Sequence, residues 1–313
     1  MKQYKYLFGP VPSRRFGRSL GVDLTPFKTC SFDCIFCQLG RTTVKTIERS
    51  EYVPVADALA ELGDWLKTGG SADYITLSGS GEPTLHSRFG EVIDYIKRNT
   101  DIHAALLTNG TMLSLPEVRE AASLADVVKV SLSTWGQNYF EYINRPHPQL
   151  DFERLLEGIK TFRNIFKGEM WLEVFLIWGV NSTPADAGKI AALASEIGPD
   201  KIQLNTAVRP PAENFVTALP RKHMEELAGI FDPPAETIAE FTSDSAGEIH
   251  ANETTILYMI QRRPCTAEQI GETFGMHLNE VAKYVGKLSR AGEIGQERRN
   301  GGIFYTAERG GKS

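Results

Sequence analysis

Cys30, Cys34 and Cys37 stand in the run Cys30-Ser31-Phe32-Asp33-Cys34-Ile35-Phe36-Cys37, a C-x3-C-x2-C spacing with no fourth ligand nearby. Thiolates are the usual ligands of iron–sulfur clusters, and a cubane has four irons to satisfy. Three thiolates leave one iron open, and an open position is where a metal centre does chemistry rather than structure. A structural zinc site would need a fourth ligand for tetrahedral closure. The first histidine is His86, and the remaining cysteine, Cys265, lies far downstream. A disulfide framework is excluded as well, because the three thiols crowd one short loop of a long, cysteine-poor chain. The spacing points to an iron–sulfur cluster.

On these residues the chain resembles the radical S-adenosylmethionine (SAM) superfamily. Further segments carry the resemblance in order: Phe36 before the last cysteine, Gly79-Ser80-Gly81-Glu82-Pro83-Thr84, Thr108-Asn109-Gly110 and Ser131-Leu132-Ser133. It spans roughly residues 8–245, with Ser80 where the family's motif has a glycine. The opening segment Phe8–Leu24 is similar to a subgroup related to wyosine-synthesis enzymes that modify tRNA. Those enzymes carry a second cluster bound by upstream cysteines, and residues 1–29 contain none.

The resemblance implies a [4Fe–4S] cluster on Cys30, Cys34 and Cys37, with SAM on the fourth iron. It implies reductive cleavage of SAM to a 5′-deoxyadenosyl radical, an oxygen-labile centre, and a one-electron donor such as flavodoxin or ferredoxin. Glu82 would accept a charge-assisted hydrogen bond from the SAM ammonium. Gly79 and Gly81 would let the backbone approach the cofactor, with Ser80 between them as a further cofactor-binding residue, Phe36 would lie by the adenine, and Asn109 and Ser133 would contact ribose or carboxylate. For Asn109 and Ser133, strand-end hydrogen bonding without a ligand is the alternative. Arg145 and His147, in Asn144-Arg145-Pro146-His147, are candidate substrate residues: an arginine binds carboxylate or phosphate and a histidine moves protons. Packing is the plainer role for His147.

Strand-like apolar runs occur at 19–24, 74–78, 104–108, 127–133, 172–180 and 201–205. Their near-continuous hydrophobicity suits parallel strands buried on both faces. Amphipathic segments lie between, the clearest at 151–166 with Asp151 as N-cap. Six β-α units give an α/β fold, either a parallel barrel or a doubly wound sheet. The family resemblance selects a partial (β/α)6 barrel of the TIM type, occupying residues 1–245 with an N-terminal extension at 1–17. In parallel folds the carboxyl ends of the strands form the active face, and all the motifs fall there.

The chain changes character beyond a proline-punctuated transition at 208–250. Helices are expected at 253–261, from a Thr266 cap with Gln269 in the capping-box position, and at 279–290. A hairpin around Asn300-Gly301-Gly302 follows. Residues 251–313 resemble a winged helix-turn-helix that would expose Asn279, Lys283, Lys287, Arg298 and Arg299, a thin basic strip for RNA or for peptide docking. Cys265 reads as a small buried hydrophobe.

The 313 residues carry a net charge of −5, distributed unevenly. Residues 1–50 hold nine Lys and Arg against three Asp and Glu, and residues 251–313 hold nine against seven. The body between is strongly acidic, which argues against broad wrapping of nucleic acid. Arg14, Arg15 and Arg18 either grip phosphate or pair with carboxylates. No run approaches the roughly 20 apolar residues of a membrane span, and the first ten residues lack an export signal's apolar core. The expected compartment is a reducing cytoplasm. Two function classes remain: a radical SAM enzyme acting on RNA, peptide or a small molecule, and an iron–sulfur redox regulator binding DNA through the winged helix.

Overall fold

The computed structural model describes residues 4–13, 15–238, 252–299 and 302–307. Arg14, the boundary expected between 245 and 251, and the Asn300-Gly301 step of the expected hairpin lie outside them. The elements run β1 (Leu7–Ser13), β2 (Gly17–Val22), β3 (Thr29–Cys30), β4 (Val44–Lys45), α1 (Val55–Lys67), β5 (Tyr74–Leu77), α2 (Phe89–Asn99) and β6 (His103–Thr108). They continue with α3 (Pro116–Ala122), β7 (Val127–Ser131), α4 (Gln137–Tyr139), α5 (Phe152–Ile165), β8 (Glu169–Leu176), α6 (Pro184–Ile197), β9 (Lys201–Thr206), α7 (Arg221–Ala228) and β10 (Glu236–Thr237). Last come α8 (Glu253–Arg262), α9 (Ala267–Phe274), α10 (Leu278–Arg290), β11 (Ile294–Arg299) and β12 (Gly302–Ala307).

One eight-stranded sheet runs in the order β1-β2-β5-β6-β7-β8-β9-β10. Strands β2 through β9 pair in parallel, as the alternation of strand and helix requires. The expected N-terminal extension is not an appendage. Residues 7–13 form β1, which pairs antiparallel with β2 and makes one edge of the sheet. The fifth expected strand stops at Leu176 rather than Val180, because Asn181 turns the chain. Its Oδ1 accepts from Ile177 N at 2.7 Å while its Nδ2 donates to the carbonyls of Ser133 and Phe175.

Burial on both faces of the strands is true of geometry but not of polarity. Val128, Val130, Leu172, Val174, Ile202 and Leu204 alternate toward the helices and join the main core. The intervening positions face the concave side, and they include Lys129, Ser131, Glu173, Gln203 and Asn205. Helix α5 begins where expected, with Asp151 Oδ1 accepting from Arg154 N at 2.8 Å.

The C-terminal segment has its own core of Ile256, Met259, Ile260, Cys265, Ile270, Phe274, Val281, Val285, Leu288 and Ile294. Three helices lead into an antiparallel ribbon of β11 and β12. The Thr266–Gln269 capping box is present, and Cys265 is fully buried. This segment packs against the rest of the chain: α8 lies on β1, and Gln269 Nε2 donates to Val208 O at 3.2 Å.

Candidate active site

Between β3 and β4 the cysteine loop is clamped from several sides. Asp33 N donates to Asn144 O, Ile35 N to Ile143 O, and Glu213 N to Ile35 O. Each of the three half-buried, free thiols has its own N–H donor. Lys28 Nζ lies 3.1 Å from Cys37 Sγ, Asn144 Nδ2 lies 3.3 Å from Cys34 Sγ, and Asn109 Nδ2 lies 3.6 Å from Cys30 Sγ. Burial, helped by the nearby Glu82 charge, pushes the Cys30 thiol up to about 12. Burial and the neighbouring cysteines push Cys34 up as well. Iron binding must therefore displace protons from these thiols, which links loading to pH.

No three His, Cys, Asp or Glu side chains among the described residues could hold a metal ion together. That concerns a single ion shared by several side chains. It does not count against a cubane, whose thiolates each bind a separate iron. Three free thiols, each with a donor to its sulfur, fit a cluster with one iron left open.

Glu82 is 3% exposed and accepts four hydrogen bonds from the protein. Its Oε1 accepts from Thr84 N, Thr84 Oγ1 and Thr108 Oγ1 at 3.1, 2.6 and 2.6 Å, and its Oε2 accepts from Asn109 N at 2.7 Å. Burial raises its pKa and these hydrogen bonds oppose the rise. The carboxylate joins the loop after β5 to the end of β6.

The glycines beside it have a reason inside the chain. A Cβ on Gly81 would come 1.9 Å from Thr29 O, and one on Gly79, at φ +148°, would come 2.4 Å from the Asp23 carboxyl carbon. Ser80 is tied to the same buried aspartate, its N at 3.1 Å and its Oγ at 2.6 Å. Close packing against Asp23 and Thr29 demands this turn, whether or not a cofactor also approaches it. Asn109 is likewise engaged: its Nδ2 donates to Ser31 Oγ at 2.8 Å, and its Oδ1 accepts from Thr111 N and Oγ1.

A cavity of about 380 Å³ opens beside the loop, on the concave side of the sheet. Phe36, Cys37 and Ser133 line it. Phe36 stacks on Phe175 with centroids 4.2 Å apart, and Ser133 Oγ accepts from Phe175 N at 3.0 Å. Arg145 and His147 do not line it. Arg145 pairs with Glu213, which also holds Arg41, and His147 Nδ1 accepts from Gln149 N. The turn that carries them packs on the cysteine loop: Pro146 bridges to Phe32, and His147 N donates to Ser31 O at 2.8 Å.

Sequence reasoning missed the polar cluster in the cavity wall. Glu173 takes an ion pair from Arg15 and another from Lys129, and Asn205 Nδ2 donates to it at 2.7 Å. Burial works against its charge, but Arg15 and Lys129 outweigh it and hold Glu173 far below the usual carboxylate range. Burial also lowers the Lys129 ammonium, partly offset by Glu173. Arg15 and Arg18 are thus paired with carboxylates, Arg18 with Asp73. The missed signal was period-two polarity: Lys129 with Ser131, Glu173, and Gln203 with Asn205 interrupt otherwise apolar strands at the same face.

The Radical SAM superfamily description matches residues 24–198. A UPF0026 protein of Methanocaldococcus jannaschii is 31% identical over 308 residues, covering 95% of this chain and 94% of that protein. The chain belongs to the radical SAM superfamily and, within it, to the UPF0026 proteins. Members of the superfamily bind a [4Fe–4S] cluster and SAM, and they are generally enzymes. A protein of Brachyspira hyodysenteriae named GTPase Obg is 35% identical over 305 residues, 96% of this chain but 45% of that protein. The chain therefore spans less than half the length of that relative. A radical SAM methyltransferase from Sphaerobacter thermophilus shares the fold, with a TM-score of 0.51 at 16% identity over 70% of this chain and 64% of that one. No helix among the described residues is long and apolar enough to cross a membrane.

Proposed function

We propose that this chain is a radical SAM enzyme whose substrate occupies the cavity beside Cys37. The observation that carries this reading is that Cys37, Phe36 and Ser133 share one wall with the buried Arg15, Lys129 and Glu173. A redox sensor has no need of such a chamber. When bound, the cluster and SAM would supply one-electron reductive cleavage chemistry. The residues of the chain do the rest. Cys30, Cys34 and Cys37 hold three irons, and Lys28, Asn109 and Asn144 orient their sulfurs. Glu82 and Asn109 fix the strand ends behind the loop, with Gly79, Ser80 and Gly81 forming the turn. Phe36 and Ser133 border the chamber, whose sheet wall carries the polar residues Lys129, Glu173 and Asn205.

The chain divides, in this reading, into a radical SAM core over 1–245 and a winged helix-turn-helix over 251–313. The order of α8, α9, α10 and the β11–β12 ribbon supports the latter. Its basic strip is thinner than its sequence suggested, since Lys287 pairs with Glu253 and Arg299 with Glu297, leaving Asn279, Lys283 and Arg298 exposed. That favours docking of substrate over reading of DNA.

Anaerobic reconstitution followed by SAM and dithionite tests the proposal. Formation of 5′-deoxyadenosine, with iron retained in Cys265→Ala, supports the enzyme. A reconstituted cluster that neither binds nor cleaves SAM would leave the regulator as the better reading.

A further inference from the structure

The cysteine loop has a thin side. Residues 40–46 lie along it, hydrogen-bonded to it at intervals. Gly40 N donates to Cys37 O at 3.1 Å, Thr42 N to Asp33 Oδ1 at 2.7 Å, Thr42 Oγ1 to Phe32 O at 2.6 Å, and Thr46 N to Cys30 O at 3.0 Å. Strand β4 runs parallel to β3 in a register that sets Lys45 beside Cys30 and Val44 beside Thr29. Thr43 N and Val44 N both donate to the carbonyl of Lys28, whose ammonium reaches Cys37 Sγ. Arg41, Thr43, Val44 and Lys45 are nevertheless exposed. One thickness of chain therefore separates solvent from the residues that carry the thiols. None of residues 41–46 lines the chamber, so a partner seated on them leaves the chamber free for substrate.

The outer face of this ribbon has an apolar centre and a cationic rim. Val44 is 51% exposed, and Phe27, on the turn before Lys28, is 44% exposed. Arg41 and Lys45 stand on either side of Val44 in the chain. Lys45 Nζ donates to the carbonyl of Arg145 at 3.3 Å, and Arg145 shares the Glu213 carboxylate with Arg41. Over residues 26–49 four Lys and Arg stand against two Asp and Glu, and Arg145 and Glu213 add one charge of each sign. The face is thus positive in a chain of net charge −5.

An apolar centre inside a charged rim is the anatomy of a protein interface. A patch this small suits the transient encounters of electron-transfer proteins, which bury less than about 1,200 Å². Positive faces draw acidic partners and speed their arrival. An RNA strand would also meet positive charge here, but it would lie on the ribbon rather than at the chamber. Reductive cleavage, by contrast, needs an electron from outside the chain, delivered close to the thiols.

We propose that the outer face of residues 41–46, with Phe27 beside it, docks an acidic one-electron carrier protein. This rests on the radical SAM reading and on the chamber being the substrate site. The carrier gives up one electron and is oxidised by one unit; the cluster held by Cys30, Cys34 and Cys37 gains that electron, and no bond forms or breaks. The hydrogen bond from Thr46 N to Cys30 O is the short link between the face and a thiol-bearing residue.

The test uses the full-length, anaerobically reconstituted protein, with a bacterial flavodoxin and a bacterial ferredoxin, both acidic, as probes. Calorimetry reads binding, and stopped-flow absorbance reads electron transfer from the reduced probe. At least one probe binds, and its affinity falls as salt rises. Lys45→Glu slows reduction by that probe about 10-fold or more at low salt, and Lys45→Ala slows it less. Reduction by dithionite, which is too small to need a docking face, stays at the wild-type rate in both variants. Binding of neither probe, or equal reduction of wild type and Lys45→Glu, overturns the docking face. Equal slowing with dithionite overturns it too, by showing that Lys45 acts on the cluster rather than on the partner. A single-stranded RNA oligonucleotide whose binding is lost in Lys45→Glu, while the carriers reduce both proteins alike, assigns the face to nucleic acid instead. Should Lys45→Glu lose iron, Lys45→Ala and Arg41→Gln provide the same comparison. Absence of 5′-deoxyadenosine with dithionite overturns the enzyme reading, so failure of that reading is distinguishable from failure of the docking face.

Discussion

Lys28, only 3% exposed, donates from Nζ to the Sγ of Cys37 across 3.1 Å. Its backbone sits at φ 60° and is secured by a bond from its N to Ser80 O at 2.7 Å. The relationship brings a buried cation against one of three iron ligands. Hydrogen bonds to cluster sulfurs and nearby charge set the reduction potential, and the low local dielectric magnifies both.

Lys28→Met should keep the iron but lower the midpoint potential, because the lost positive charge had favoured the more negative, reduced cluster. The backbone strain at φ 60° is the same in both proteins, so it cancels. An anaerobic redox titration followed by electron paramagnetic resonance measures the shift. Identical potentials would leave Lys28 with a packing role alone.

Glu82→Ala should do more than weaken SAM binding. It strands two backbone N–H groups and two hydroxyls in a buried site, and each unsatisfied group costs about 1–3 kcal/mol. The expected result is destabilisation of about 3 kcal/mol or more in urea, with reduced iron loading. Glu82→Gln, which keeps an acceptor oxygen, should lose less. Wild-type stability in Glu82→Ala with only SAM affinity reduced would make the carboxylate a simple cofactor contact.

Glu173→Ala leaves Arg15 and Lys129 without their anion inside the chamber wall. Stranding buried charge typically costs about 3–5 kcal/mol, so the denaturation midpoint should drop clearly. An unchanged midpoint would mean that water reaches these cations freely.

His86 reports on pH. It is fully buried, with Nε2 at 2.8 Å from Val53 O and Nδ1 accepting from Arg88 N. Burial lowers its pKa below the ordinary 6.5, against a smaller opposing pull from the Val53 carbonyl. The unfolded chain then binds a proton that the folded chain refuses. Stability is full above pH 6.5, falls as pH drops through that value, and levels off below the folded pKa. The wild type should lose stability toward pH 5.5 more steeply than His86→Gln in paired denaturation curves. Parallel curves would show that His86 titrates alike in both states.

Features written in neighbouring residues were legible from the chain alone. The C-x3-C-x2-C ligands sit within one short loop, the Asp151 and Thr266 caps act over three residues, and the apolar runs of β5 to β9 mark strands by their own composition. Each depends on contacts a few positions apart, so sequence order is already spatial order. Tertiary structure decided what fills the space between them. Strand pairing placed Ser131 against Glu173 and Glu173 against Gln203, gathering polar residues of three strands on one face. It folded residues 7–13 into the sheet and brought Arg15 to Glu173 across 158 positions. It also showed Glu82 and the Gly79–Gly81 turn tied to the protein's own backbone, and Arg145 and His147 outside the chamber. Arg263, from the C-terminal segment, also lines that chamber, and α8 packs on β1. Many of these partners lie tens of residues apart, and Arg15 and Glu173 lie 158 apart, and nothing local in either segment specifies the register that joins them.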